Sequence, residues 1–359
     1  MKKIIWVLTS AVFISGCDSN NFLEKIGFKE RITTAIQERN GVVYLPNEDE
    51  SFTGKYEIYY LNGQKESEKT FKMGELNRLS NSWYKNGQKM YEESWKNGEK
   101  NGLFTSWYES GQKKSEKTYE DGKENGLNTI WYENGQKNYE GTYIVGMENG
   151  LSFRWYENGQ KWSDISYKNG KQDGLEAYWY KSGNKLSEKT FKDGQLNGFD
   201  TNWYENGNKR TEINFIDYKR NGLATEWNES GQKLSETNWK DHKKNGLYTE
   251  WHENGQKKSE QIYEDDNQNG LSIYWNENGK KISEGNYKNG EQNGSDREWY
   301  ENGKKFMERT WIDGKLNGLQ TTWYENGKKR TESTWKDGHL NGLNTEWDES
   351  GHKSSEETF

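Results

Sequence analysis

A tryptophan returns every 24 residues through most of this chain: Trp83, Trp107, Trp131, Trp155, Trp179, Trp203, Trp227, Trp251, Trp275, Trp299, Trp323 and Trp347, with Tyr59 in the same place one interval earlier. The interval never slips by a residue. So strict a period, between 20 and 50, means stacked copies of one small unit, none of which buries its apolar face alone. A length of 359 residues would otherwise suggest two or three globular domains, but repetition voids that count.

Each unit carries two turn signals. The first is Asn-Gly or Ser-Gly, as at Asn86-Gly87 and Ser110-Gly111. The second is Asp-Gly or Asn-Gly followed by another Asn-Gly, as at Asp121-Gly122 and Asn125-Gly126. Asn, Asp and Gly reach positive φ at low cost, as two-residue hairpin turns require. The runs between them are rich in Thr, Tyr, Trp and Phe, which suit pleated, half-buried surface. The expected unit is therefore two short antiparallel strands. A second aromatic follows the tryptophan by twelve residues (Tyr143, Tyr167, Trp239), and with the Trp and a Leu after the second turn (Leu127, Leu151) it supplies most of the apolar area. Register decides whether the two aromatic series share a face. Disorder is disfavoured: the chain is only 29% hydrophobic, with mean hydropathy −1.36, but its aromatics, 15% of residues, sit in phase.

Two charged places are as regular. Lys stands two residues after the first-turn Gly (Lys65, Lys89, Lys137), and an acid three residues later (Glu68, Glu92, Glu140, Asp164). An odd separation puts them on opposite faces of an uninterrupted strand, which reads as solvated, charge-alternating surface.

These residues resemble a known family. The stretches 113–123 and 125–137, which together read NGL-x-T-x-WYENGQK-x-SE with a closing Asp-Gly-Lys, are similar to the MORN-repeat variant of bacterial YwqK-type, antitoxin-like proteins. The resemblance covers about residues 52–359. It implies an elongated single-layer antiparallel β-meander of about twelve and a half repeats. Stacking strands 4.8 Å apart would make it on the order of 120 Å long. Asp217-Tyr218, Asp241-His242 and Asp265-Asp266 lack the Gly of the second turn, and Arg78 and Ser295 break the Asn-Gly-Leu motif, so looser or longer turns are expected there.

Residues 1–16 read as a lipoprotein signal peptide: Lys2 and Lys3, an apolar run over 4–14 too short to span a membrane, then Ile14-Ser15-Gly16-Cys17, which resembles a lipobox. By that resemblance Cys17 carries the lipid and anchors the protein at a bacterial cell envelope, with the leaflet open. It is the only cysteine, so no intramolecular disulfide can form. Residues 17–41 read as a tether and a short capping helix, with Phe22, Leu23, Ile26, Ile32 and Ile36 at helical spacing and Asn40-Gly41 ending it. Residues 42–58 read as an entry hairpin and 59–359 as the array. The C-terminal strand, with an unpaired edge, invites an edge-to-edge dimer or a strand from a partner.

No catalytic or cofactor constellation emerges. His242, His252, His339 and His352 fall at variable or turn places, without the spacing a metal needs. The carboxylates repeat in like environments, whereas acid–base catalysis needs one unlike environment. An enzyme is therefore not expected. Nucleic acid is disfavoured by the net charge of −7, which loss of two leader lysines takes to −9. The remaining reading is a non-enzymatic scaffold that binds an unknown protein partner, as an antitoxin-like protein or a surface protein contacting other cells or a host; the rival is a structural spacer. The place eight residues into the unit varies most (Met90, Lys114, Asn138, Trp162, Arg210, Phe306), and Trp162 and Phe306 are the candidate contacts, because aromatics anchor interfaces.

Overall fold

The computed structural model describes residues 32–359. Their secondary structure is all β. Contacts divide them into two units, residues 32–113 with 119–123, and residues 114–118 with 124–359. Within each unit the repeat strands form a single-layer antiparallel meander, each paired with the next in sequence.

The repeat at strands Lys161–Lys168 and Lys171–Trp179 shows how the sequence builds this. Its two turn signals give different turns. Asn169-Gly170, with φ of 51° and 76°, is a two-residue turn closed by Lys168 opposite Lys171. Both central residues at positive φ match the strands' right-handed twist. The Tyr-Glu-Asn-Gly-Gln signal is a three-residue loop instead. The Tyr156 N–H donates to Gln160 O at 2.8 Å and the Gly159 N–H to Tyr156 O at 2.9 Å. Asn158 Oδ1 accepts from the Gln160 N–H at 3.0 Å, and only Gly159 needs positive φ.

The second Asn-Gly or Asp-Gly is no turn at all. Asp173-Gly174 lies inside the strand Lys171–Trp179, where Ile165 pairs with Glu176 but Tyr167 with Gln172, so one residue faces three. This bulge holds Gly174 at φ 107°, and a Cβ there would stand 3.0 Å from Ser166 Cβ. Gly170→Ala would meet only ordinary contacts with the Met147 side chain. Gly174→Ala is therefore expected to lower stability by ~2 kcal/mol or more and Gly170→Ala by about 1 kcal/mol, measured by urea unfolding.

The turns lacking Gly are neither looser nor longer. Asp217-Tyr218, Asp241-His242 and Asp265-Asp266 keep the two-residue form with positive φ throughout, and Arg78 takes the bulge glycine's place at φ 69°. Such backbone costs ~1–2 kcal/mol per non-glycine. Side chains reaching the preceding repeat offset it: Tyr218 Oη donates to Gly194 O, Asp266 Oδ1 accepts from the Lys244 N–H at 2.8 Å, and His242 Nδ1 from the Arg220 N–H at 3.4 Å.

The expected capping helix meets a correction where it enters the described residues. Residues 32–41 are not helical. Ile32–Thr33 pairs in parallel with Gly54–Tyr59, and Gln37–Arg39 forms a hairpin with Val42–Tyr44, turning on Asn40-Gly41 at φ 50° and 79°. Asn-Gly here makes a hairpin turn, not a helix stop. The rest of that segment and Cys17 lie outside the described residues. The hairpin and the segment after it bring together Val43, Phe52 and Phe71, each 6% exposed or less, with Ile36, Leu45, Tyr56 and Leu76 against them. Elsewhere apolar side chains are mostly half-buried. The post-turn leucines in particular are not core: Leu127, Leu151, Leu175 and Leu223 are 43–53% exposed.

Candidate interaction site

The framework of the repeat is a set of ladders. The first-turn tyrosine donates its hydroxyl to the backbone carbonyl of the next repeat's tryptophan: Tyr132 to Trp155 O at 2.9 Å, Tyr156 to Trp179 O at 2.8 Å, Tyr180 to Trp203 O at 3.0 Å and Tyr300 to Trp323 O at 2.8 Å. His252 stands in that tyrosine's regular place, with Nε2 2.9 Å from Trp275 O, a role that reading it as a turn residue did not reveal. The first-turn Asn donates across the same step, Asn134 to Glu157 O at 2.9 Å. Lysine reaches the tryptophan ring of the next repeat. Lys161 Nζ stands 5.1 Å from the Trp179 centroid, Lys185 Nζ 5.4 Å from Trp203 and Lys305 Nζ 5.4 Å from Trp323.

Each such lysine also pairs with the acid three residues on, as Lys161 with Asp164 at 3.2 Å and Lys281 with Glu284 at 2.6 Å. They share a face, against the parity expectation. The reason is a second bulge: Trp155 pairs with Lys161 but Arg154 with Ser163, leaving Trp162 as an extra residue. The extra residue reverses the alternation, so an odd separation no longer separates faces. The same shift recurs at Trp131/Lys137, Trp227/Lys233 and Trp323/Lys329. The two aromatic series also part here. Phe153, opposite Asp164 and 5.9 Å from Trp155, marks the lysine and tryptophan face. Tyr139, Tyr143 and Glu148 meet on the other.

Two of the paired acids set a pH dependence. Burial alone would raise Glu284, but hydrogen bonds from Lys281 and Arg297 outweigh it and hold it below the usual carboxylate range. Hydrogen bonds from Lys305 and Arg297 hold Glu308 down as well. A folded value below the unfolded one adds stability that is present above the ordinary carboxylate pKa of about 4.3 and lost as pH falls through the lower folded value. The thermal midpoint should therefore drop between pH 5 and pH 3, and less steeply in Glu284→Gln.

The extra residue of the bulge is the variable place of the repeat: Asn138, Trp162, Arg210, Ile282, Phe306. Where it is large it lies on the first-turn tyrosine of its own repeat, as Arg210 does 5.8 Å from the Tyr204 centroid and Arg330 5.7 Å from Tyr324, and its identity changes from repeat to repeat. Both candidate contacts occupy it, in different surroundings. Phe306 packs edge-on against Tyr300, centroids 5.1 Å apart. Trp162 lies between Tyr156 at 6.3 Å and Tyr178 at 6.2 Å, is 37% exposed, and has the Arg154 guanidinium 5.7 Å from its ring. Arg154 also stands 5.5 Å from the Tyr139 ring. Trp162 thus belongs to a cluster; Phe306 does not join it.

Beside the cluster the sheet has an open hollow of about 480 Å³, with Asn128, Ile130, Asn138, Tyr139, Tyr143 and Arg154 in its lining. Gly141, paired with Asn128 of that lining, lacks the side chain that neighbouring repeats place there as Lys117 and Ile165, and Gly285 repeats the exchange. Tyr139 folds partly over Gly141, where a Cβ would stand 2.2 Å from its hydroxyl. That phenol donates to Glu148 at 2.7 Å and lies 2.9 Å from the Tyr143 hydroxyl. Burial first, then the hydrogen bonds with Tyr143 and Glu148, push its pKa far above the ordinary phenol value, so it stays protonated. Asn128, Gly141 and Arg154 escaped the sequence reading, although Tyr139 does stand where Ser163, Ser187, Ser235, Ser259 and Ser283 recur.

The MORN repeat variant matches eight segments: 52–73, 100–121, 124–144, 148–169, 220–241, 244–265, 268–289 and 316–337. This is a MORN-repeat protein. The segments end at the two-residue turn or just beside it, so each match spans most of one strand, the three-residue loop, and the strand that carries the ladder lysine and acid of the MORN array. No curated protein matches the chain. Among solved structures, the MORN-repeat chain is similar over 88% of its 359 residues to a chain of the TcdB2-TccC3-Cdc42 crystal structure, at 11% identity and TM-score 0.18. It is similar over 85% to a chain of TcdB2-TccC3, at 12% identity and TM-score 0.18, and over 85% to one of the Tc holotoxin pore of Photorhabdus luminescens, at 13% identity and TM-score 0.17. It spans 18–19% of those chains, and likeness so low carries no functional argument. Among the described residues no group of three His, Cys, Asp or Glu could hold a metal, and no helix is long and apolar enough to cross a membrane.

Proposed function

We propose that this MORN-repeat scaffold is a non-enzymatic docking platform for a protein partner, held at a bacterial cell envelope by a lipid on Cys17. The observation that carries the docking role is the bulge. Ladders of Lys, Trp and acid recur from repeat to repeat, with a tyrosine rung in most, while one extra residue per repeat is left to differ. Variable side chains on a fixed frame are where recognition resides. The half-exposed leucines on the lysine face, present in most repeats, add apolar surface beyond what a lone monomer needs. The Ile-Ser-Gly-Cys leader supports the anchor, and the resemblance to antitoxin-like repeat proteins supports an immunity role towards a toxin at the envelope. Two results test this. Mature protein isolated from its own cells should carry a stoichiometric protein partner identifiable by mass spectrometry, lost when Trp162 is changed to Ser. Labelled fatty acid should enter the wild type and not Cys17→Ser. Absence of any partner removes the scaffold reading; equal labelling removes the anchor.

A further inference from the structure

Three features single out the hollow within residues 114–178. The first is the hollow itself, about 480 Å³, with Tyr139, Tyr143 and Arg154 in its lining. The second is Asn128. It is 4% exposed and lines the hollow, its Nδ2 donates to Glu124 at 3.0 Å, and its Oδ1 has no hydrogen-bond partner. A buried acceptor left unpaired costs ~1–3 kcal/mol, so it is a place where a donor gains. The third is Arg154. Its guanidinium is held between the Tyr139 and Trp162 rings, yet among the described residues none accepts a hydrogen bond from it. A guanidinium fixed by stacking keeps its N–H edge free for a bidentate acceptor.

The other charges of the hollow are occupied. Lys117 pairs with Glu124 at 2.6 Å. Glu148 takes Tyr139 at 2.7 Å and Ser152 at 3.3 Å. The two acids and Lys117 therefore leave Arg154 as the cation that faces outward.

We propose that this hollow receives an acidic side chain of the docked partner, its carboxylate forked on Arg154 and a neighbouring backbone N–H on Asn128 Oδ1. The ligand must bring an anionic planar acceptor and a donor close together, which Asp or Glu in a peptide does. Ile130 and the Tyr143 ring supply an apolar wall for the methylenes. This deepens the docking function above and rests on it; it also gives Trp162 a specific part, as one of the two rings that hold the guanidinium.

The test uses the mature full-length chain in detergent, labelled with 5-fluorotryptophan, with the Trp162 resonance assigned from Trp162→Phe. Acetyl-Ala-Glu-Ala-amide, acetyl-Ala-Gln-Ala-amide and N-acetylglucosamine are titrated in turn. The Glu peptide should shift the Trp162 resonance at concentrations about tenfold or more below the Gln peptide, and Arg154→Gln should remove that preference. Arg154→Lys, which keeps charge but not the fork, should fall between. Arg154 is exposed, so neither variant threatens folding. Equal response to the Glu and Gln peptides, retention of the preference in Arg154→Gln, or a shift with the sugar alone overturns the proposal. If these fail while cells still yield a partner, only the acidic-residue assignment falls; if no partner is found, the docking function falls first.

Discussion

Phe52→Ala should lower stability by ~3–5 kcal/mol, the range for emptying a buried aromatic site. Phe52 is 1% exposed, and its ring lies 6.1 Å from Phe71. Its backbone also stitches the N-terminal hairpin to the first repeat: its N–H donates to Val43 O at 2.7 Å and its carbonyl accepts from the Gly74 N–H at 2.7 Å. A one-layer sheet has nowhere to redistribute that loss, because each face of a strand meets only half a neighbourhood. The control is Phe199→Ala. Phe199 sits in the leucine row, 55% exposed, and its loss should cost under about 1 kcal/mol. Thermal unfolding followed by near-UV circular dichroism separates the two.

Excision of one whole period should be nearly silent where excision of half is not. Removing residues 205–228 joins Tyr204 to Glu229 and sets the Tyr204 hydroxyl one repeat from Trp251 O, as it now stands from Trp227 O at 3.0 Å. The lysine and tryptophan ladders lose one rung each, the tyrosine rung takes the place Asn228 held, and stability, a sum over neighbouring repeats, changes little. Removing residues 204–215 keeps the spacing of aromatic residues, since Phe215 and Trp203 are twelve apart, but deletes a single strand. The strand that follows then runs the opposite way against its new neighbour. The contact of Lys209 with Trp227 and the Tyr204 rung vanish together. We expect a fall in thermal midpoint of roughly 5–10 °C and early proteolysis at the junction. Hydrophobic pattern alone would treat the two deletions alike.

The strands and the tryptophan ladder were legible because a 24-residue period and paired turn signals leave few other folds. The faces were not. Parity counting treats a strand as unbroken, and nothing in Gln-Lys-Trp-Ser announces that Trp162 is an extra residue. The lysine and acid therefore looked separated when they are paired. Asn-Gly misled in two further ways. Within a strand it serves a bulge, as Asn149-Gly150 does at φ 102°, and at Asn40-Gly41 it turns a hairpin where Ile32 and Ile36 had suggested a helix. Of the binding site, the chain showed Trp162 as an outlier in a variable column. It did not show the hollow beside it, because Asn128, Gly141 and Arg154 look like drift in separate columns until the sheet gathers them around Tyr139.

The bulge is the feature on which the shared lysine–acid face and the exposed variable residue both depend. Disulfide formation tests it most directly. In a Cys17→Ser chain, which has no other cysteine, residues are paired as Glu226→Cys with Ser235→Cys, and as Glu226→Cys with Leu234→Cys. Glu226 lies opposite Ser235, and Leu234 is the extra residue. Opposed positions bring Cβ atoms close enough to bridge after small adjustment. The structure predicts rapid oxidation of the 226–235 pair and little of the 226–234 pair; preference for 226–234 would mean an unbulged register and would contradict the account.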